Sequence, residues 1–280
     1  MKADLHCHSY YSDGKQSPTF LLARATRNRV THLALTDHDC IDGIAELRAS
    51  AGDITIIDGV ELSCIWNTQE IHIVGLLIDR ANEHIGKLLA SQQAERRKRA
   101  EAIDHRLQKL DVRGLLPYLD SLRCTAYTRS HIADFLVQEK ICKNRQKAFK
   151  THLGRRGKVY APAGCCTLEA GVAAIREAGG IAIVAHPGRY SLSKTKLSAL
   201  LDDFKDCGGE AIEGSYSNID PTTKAYLGKL AEEKALLLSV GSDFHDAEAT
   251  WTDIGKFPAL DQRAIKNAIW VHPKWHSSQV

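Results

Sequence analysis

Short apolar runs, rich in β-branched residues and bounded by polar turns, recur at 2–6, 33–36, 55–60, 71–76, 181–185, 211–214 and 236–240. Runs without polar alternation predict strands covered on both faces, the condition of a parallel sheet. Between them the apolar spacing becomes helical. Residues 18–28 follow Ser17-Pro18, a helix-start pair. Residues 44–51 are a short candidate. Residues 167–178 open on Thr167-Leu168-Glu169-Ala170 and stop at Gly179-Gly180, and 221–234 form another helical pattern. Strands alternating with helices predict an α/β fold. Seven candidate strands suit a closed or nearly closed barrel better than a two-layer sandwich.

The rhythm breaks between about residues 95 and 165, where helical patterns at 90–110, 128–139 and 144–153 follow one another without a convincing strand. The expected organisation is a barrel from 1–94 and 166–280, with a helical insertion, 95–165, between the fourth and fifth strands. Charge sharpens this division. The whole chain is nearly balanced at +3, but residues 94–158 hold 17 Lys/Arg against 7 Asp/Glu (net +10), which leaves the remainder at −7. Such asymmetry predicts an anionic partner for the insertion, which would act as a substrate-binding cap. The run Glu95-Arg96-Arg97-Lys98-Arg99 by itself reads more simply as a solvated, salt-bridged helix face.

Composition excludes several classes. With 280 residues, 44% apolar and 25% charged, the chain can bury a sizeable core, so disorder and collagen-like repeats are ruled out. No apolar run reaches membrane-spanning length. The N-terminus has no apolar signal region, so a cytoplasmic location is expected, with no membrane partner and no obligate protein partner evident. The eight cysteines (7, 40, 64, 124, 142, 165, 166 and 207) form no C-x-x-C pair, and most are expected to be buried free thiols.

The candidate chemistry lies on the strands. The first runs into His6-Cys7-His8, and alternation puts both histidines on one face. Asp13 follows five residues on. The second strand ends in Thr36-Asp37-His38, the third in Gly59-Val60-Glu61; the fourth contains His72; the fifth ends in Ala185-His186-Pro187 and the seventh in Gly241-Ser242-Asp243-Phe244-His245. In a β/α barrel these ends converge on one mouth. A single histidine at a strand end is ordinarily a hydrogen-bonded core or loop residue, which is how His32, His84, His105, His152, His272 and His276 are read. Nine ligand-type residues at six of seven strands are different. Buried imidazoles and carboxylates are costly unless paired or metal-bound, so a metal centre built from His6, His8, Asp13, His38, Glu61, His72, His186, Asp243 and His245 is expected. The donor set suits Mn²⁺, Fe²⁺ or Zn²⁺, most simply Mn²⁺, and is large enough for two to three ions. Alternation turns Cys7 away from the mouth.

In order and spacing, Asp4-Leu5-His6-Cys7-His8, Ser12-Asp13-Gly14, Thr36-Asp37-His38, Gly59-Val60-Glu61, Ala185-His186-Pro187 and Ser242-Asp243-Phe244-His245 resemble the motifs of the PHP (polymerase and histidinol phosphatase) superfamily. Tyr127-Thr128-Arg129-Ser130-His131, Gly157-Lys158-Val159-Tyr160 and His186-Pro187-Gly188-Arg189 are similar to its branch of bacterial 3′,5′-nucleoside bisphosphate phosphatases, which includes the RNase AM type of 5′→3′ exoribonuclease. One departure is Ser130, where that branch's pattern has proline. The resemblance implies a distorted (β/α)₇ TIM-like barrel with a trinuclear metal site. One ion would take His6, His8, Glu61 and Asp243, a second Asp13, His38 and His245, and a third Glu61, His72 and His186.

The expected activity is hydrolysis of the 3′-phosphate of nucleoside 3′,5′-bisphosphates, and 5′→3′ removal of nucleotides from RNA or short oligonucleotides with a 5′-phosphate. A metal-bridging hydroxide would be the nucleophile. Proton transfer would fall to His186, Asp13 or a metal-bound water. Arg129, His131, Lys158 and Arg189, with Tyr160 nearby, are the candidates for holding substrate phosphates, since guanidinium offers a fork and ammonium a point charge. Two other readings compete. A small-metabolite phosphatase of histidinol-phosphatase type leaves the basic insertion without a role. A non-catalytic nucleic-acid-binding module would be signalled by a missing ligand, and none is missing.

Overall fold

The computed structural model describes residues 1–277. Its strands are β1 (Ala3–Asp4), β2 (His32–Leu35), β3 (Thr55–Trp66), β4 (Gln69–Leu76), β5 (Cys166–Thr167), β6 (Ile181–Val184), β7 (Ala211–Tyr216) and β8 (Leu237–Gly241). Seven follow one another in the order β1-β2-β3-β4-β6-β7-β8, and the short β5 pairs with β3 off this path. Beyond the ends of β1 and β8, Leu5 N–H donates to Val240 O (3.1 Å), Asp243 N–H to His6 O (2.8 Å) and His8 N–H to Phe244 O (2.9 Å). These bonds bring the first and last strands together, so the barrel is nearly closed. Gly241 sits at the seam. A Cβ there would stand 2.3 Å from that of His6, so only glycine admits the approach.

The sheet is mixed, where the apolar runs predicted parallel strands throughout. β4 runs antiparallel to both β3 and β6. The reason is local. β3 continues six residues past Val60 to Trp66, and only Asn67 and Thr68, both at positive φ, separate it from β4. Two residues suffice for a hairpin but not for a parallel crossover, which needs a dozen or more. Glu61 therefore lies inside a strand rather than at its end.

The helices are α1 (Pro18–Arg27), α2 (Gly43–Ala49), α3 (Glu83–Gln108), α4 (Leu115–Asp120), α5 (Arg129–Gln138), α6 (Arg145–Ala148), α7 (Leu168–Glu177), α8 (Lys194–Asp206), α9 (Pro221–Glu233), α10 (Gln262–Ile265) and α11 (Pro273–Ser277). Side-chain caps explain several starts: Ser17, Thr128 and Thr167 oxygens accept from the backbone N–H of Phe20, Ser130 and Ala170. α8, with its Ser193 cap, and α4 were not anticipated; α3 starts at an Asn82 cap, earlier than its apolar pattern suggested. The helical pattern at 144–153 resolves into α6 and one π turn, Phe149–Leu153.

The helices from α3 to this π turn enclose an apolar core of their own, including Ile103, Leu107, Leu119, Phe135, Leu136 and Leu153. The barrel interior holds Leu5, Ala34, Ile57, Val74, Ile183 and Ala211, closed at one end by Ile269 and Trp275. Each buried leucine, isoleucine or valine among them contributes about 1.5–3 kcal/mol. All eight cysteines are free. Cys7, Cys40, Cys64 and Cys142 are buried, but the other four are only half-buried, fewer covered than expected. No described helix is long and apolar enough to cross a membrane.

Candidate metal centre

At the barrel mouth the strands and the loops that follow them deliver six imidazoles and three carboxylates to one place. His6, His8, Asp13, His38, Glu61 and His186 are buried; His72, Asp243 and His245 are half-buried. Glu61 is the hub. Its Oε1 lies 3.0 Å from His72 Nδ1, 3.1 Å from His186 Nε2 and 3.4 Å from His6 Nε2; its Oε2 lies 2.9 Å from His38 Nδ1 and 3.3 Å from His8 Nε2. β3 and β4 set this up: Glu61 is paired with Val74 and Ser63 with His72, so Glu61 and His72 share one face of the ribbon as diagonal neighbours.

Asp243 Oδ1 approaches His6 Nε2 (3.5 Å) and His8 Nε2 (3.2 Å). Asp13 Oδ1 lies 3.2 Å from His245 Nε2 and 3.6 Å from His38 Nε2. Four sets have donor atoms mutually within 4.8 Å: His6, His8 and Asp243; His8, Asp13, His38 and His245; His38, Glu61 and His72; His6, Glu61 and His186. The nine residues singled out in the sequence therefore gather together. His8 joins the Asp13 set as well as the Asp243 set, and His72 and His186 reach Glu61 from different neighbours.

The electrostatics ask for cations. Burial opposes ionisation of Asp13, Glu61 and Asp243, yet the surrounding imidazoles hold all three well below the usual carboxylate range. Burial also disfavours charge on His72 and His245, but facing carboxylates outweigh it and push them up to about 10 and about 9. His8, desolvated and crowded by His245 and His38, is lowered to about 3 and keeps a free lone pair. Despite these close approaches, Asp13 Oδ1, His38 Nδ1, Glu61 Oε2 and His186 Nδ1 are buried without a well-aligned hydrogen bond. Orphaned donors of this kind, the facing nitrogens of His6 and His8 at 3.0 Å, and an imidazole–carboxylate set without thiolate all fit divalent cations. Cys7 points elsewhere and donates to Ala34 O (3.3 Å).

An outer layer holds these groups, and sequence reasoning missed it. Glu213 on β7 accepts from His6 Nδ1 (2.7 Å), which leaves His6 Nε2 facing inward, and from His186 N–H (2.6 Å). Its signal was a lone carboxylate inside an apolar strand. Asp37 accepts from Ser9 N–H (2.7 Å), Ser9 Oγ (2.6 Å) and Ser12 Oγ (2.6 Å), fixing the loop that carries Asp13. In that loop a Cβ on Gly14 would lie 2.3 Å from His8 O. His186 and Asp243 both adopt positive φ, backbone strain of the kind that gathers at functional sites.

Beside His72 and His186 opens a cleft of about 540 Å³ whose walls include Arg99, Arg129, Arg155, Arg189, Tyr160 and a single acid, Glu70. Arg129 and Arg99 face Glu70 (3.1 and 3.8 Å), and Arg189 pairs with Asp243. Lys158 is exposed and does not line this cleft. His131 is buried; its Nδ1 accepts from Thr128 N–H (3.2 Å), closing a capping box at the start of α5. Ser130 N–H, which proline would lack, donates to Thr128 Oγ (3.1 Å). The basic run on α3 divides by face. Arg97 and Lys98 pair with Glu101, Asp120 and Glu95 on accessible surface, while Arg96 is drawn onto buried Asp39 (2.7 Å) and Arg99 reaches the cleft.

A mixed α/β barrel with buried imidazoles and carboxylates converging at one mouth is the layout of metal-dependent hydrolases. The chain belongs to the PHP domain family: residues 4–165 match that domain. It is 40% identical over 257 residues to a 5′-3′ exoribonuclease of Haemophilus influenzae (91% of this chain, 93% of the relative) and 38% identical over 258 residues to the 5′-3′ exoribonuclease Rnm of Escherichia coli (90% and 88%). It is 36% identical over 276 residues to a 3′,5′-nucleoside bisphosphate phosphatase of Chromobacterium violaceum (95% and 94%). A solved structure from Chromobacterium violaceum, described as an amidohydrolase with bound sulfate and no metal, superposes with a TM-score of 0.89 at 33% identity over 97% of this chain and 95% of that one.

Proposed function

We propose that this chain is a divalent-metal-dependent phosphoesterase that removes the 3′-phosphate of nucleoside 3′,5′-bisphosphates and releases nucleotides from the 5′ end of 5′-phosphorylated RNA. The observation that carries this reading is one continuous site, in which a buried nine-donor cluster opens directly into an arginine-walled cleft. Both substrates share one reaction. Water adds to the phosphorus on O3′, the P–O3′ bond breaks, and O3′ takes a proton. The names of the relatives support the same pair of substrates.

Two to three ions, with Mn²⁺ as our assignment, would be held by His6, His8, Asp13, His38, Glu61, His72, His186, Asp243 and His245; bound there, they supply Lewis-acid charge and an activated water. The chain's own residues do the rest. Glu213 fixes the tautomer of His6, and Asp37 fixes the loop bearing Asp13. Arg129, Arg189, Arg99 and Arg155 hold the 5′-phosphate in the cleft, which sets the next phosphorus against the cluster. The helical insertion serves as the cap that presents Arg99, Arg129 and Arg155 to the mouth. Of the two proton-transfer candidates, His186 lines the cleft, whereas Asp13 sits between His38 and His245. Both also stand among the ion-holding residues, and a ligating imidazole or carboxylate has no proton to give, so we assign delivery of the proton at O3′ to water at the mouth. The eight free cysteines support a reducing, cytoplasmic setting, and the exoribonuclease names of two relatives support a role in RNA processing.

The test offers Mn²⁺-loaded protein adenosine 3′,5′-bisphosphate, 5′-phosphorylated RNA and histidinol phosphate in parallel. Turnover of the first two is expected. Turnover of histidinol phosphate alone overturns the assignment.

A further inference from the structure

The cluster has a second opening. Ring contacts form a row: His186 to His6 (5.7 Å), His6 to His8 (5.0 Å) and His8 to His245 (4.1 Å). The arginine cleft meets this row at His186. At the other end, Asp243 and His245 floor a separate cleft of about 740 Å³, and Arg189 borders both.

The two clefts differ in chemistry. The first has four guanidinium groups against one carboxylate. In the second, three cations (Lys15, Arg145 and Arg189) are balanced by three carboxylates (Asp243, Asp246 and Glu248), with Lys15 on Asp246 (2.7 Å) and Arg145 on Asp134. What distinguishes its wall is Trp251, whose indole is 66% exposed. A flat apolar ring left in water beside paired charges suits the face of a nucleobase better than a phosphate.

We infer that this second cleft receives the second nucleotide of a 5′-phosphorylated RNA strand, with its base stacked on Trp251. The inference rests on the proposed phosphoesterase reading and extends it. With the 5′-phosphate in the arginine cleft and the reacting phosphorus at the cluster, the nucleotide joined to that phosphorus through O5′ continues past His245 into the Trp251 cleft. A nucleoside 3′,5′-bisphosphate ends at the reacting phosphorus and sends nothing there. The indole thus favours strands over mononucleotides, and it does so for any base, because every base has a stacking face.

The experiment compares kcat/KM of wild type, Trp251→Ala and Trp251→Phe on adenosine 3′,5′-bisphosphate and on a 5′-phosphorylated oligoribonucleotide. Trp251→Ala is expected to lower the oligonucleotide-to-bisphosphate ratio about tenfold, mainly through KM for the oligonucleotide, as loss of one base–aromatic stack predicts. Trp251→Phe is expected to restore most of the ratio. An unchanged ratio for Trp251→Ala overturns the inference, as does wild-type turnover of the bisphosphate without the oligonucleotide. If wild type hydrolyses neither substrate, the underlying phosphoesterase reading falls instead.

Discussion

At the barrel mouth, Asp13, Glu61 and the half-buried Asp243 are carboxylates kept ionised by imidazoles. On the insertion, Arg99 and Arg129 are cations that share one carboxylate, Glu70. Each region carries an excess of one sign. The mouth is built from strands and fixed by Glu213, Asp37 and close glycines; the arginine wall is built from helix ends and a loop. Several bonds stitch the two together, among them those of Arg96, which reaches from α3 to Asp39 (2.7 Å), Ser63 Oγ (2.8 Å) and Tyr127 O (2.9 Å). The contrast teaches that holding metal and holding substrate are separate tasks here, performed by elements with separate cores, and that changes on the two sides are expected to have different signatures.

Removing the hub on the mouth side has the largest expected effect. Glu61→Gln is expected to lose several kcal/mol of transition-state stabilisation, about 10³-fold in kcat, and bound metal with it. Turnover and metal analysis check this together; full metal content would deny Glu61 its place at the centre. Next is the stitch. Arg96→Met leaves buried Asp39 without its cation, with only the Ser63 N–H and the Gln92 amide still donating to it, a loss of about 3 kcal/mol in denaturant unfolding. Adding Asp39→Asn is expected to recover part of it, and failure to recover would show that Arg96 acts through packing. Glu213→Gln weakens metal affinity about 10–100-fold, read by metal titration, because His6 loses the acceptor that orients it. On the insertion side, Arg129→Ala is expected to raise KM for 5′-phosphorylated substrates about tenfold while metal content stays at the wild-type level. Metal loss in that variant would erase the division of labour.

What could be read from the chain followed from physical periodicity. Buried strands betray themselves as apolar runs, and a histidine or carboxylate at the end of such a run stands out, which is how His6, His38, His186 and Asp243 were found. An apolar run does not announce its direction, so the antiparallel course of β4 was hidden until the two residues Asn67 and Thr68 were seen to be the entire connection. Glu213 was in view but belonged to no motif, and its role depends on a neighbour 207 positions away. Charge counting found the basic insertion without resolving its faces. Arg99 and Arg155 line the cleft, Lys158 does not, and only the phase of α3 and the path after the π turn decide it. His131, read as a phosphate contact, is engaged as a helix cap.

The β3–β4 ribbon has one further consequence. Glu61 and His72 lie nearer its root, whereas Gln69, Glu70 and the Thr68 carbonyl that receives Arg155 (2.6 Å) cluster at its tip. Lengthening or regrafting the Asn67–Thr68 tip therefore reshapes the recognition wall while the root stays in register, which makes this hairpin a natural handle for retuning which phosphate esters are accepted without rebuilding the ion-holding floor.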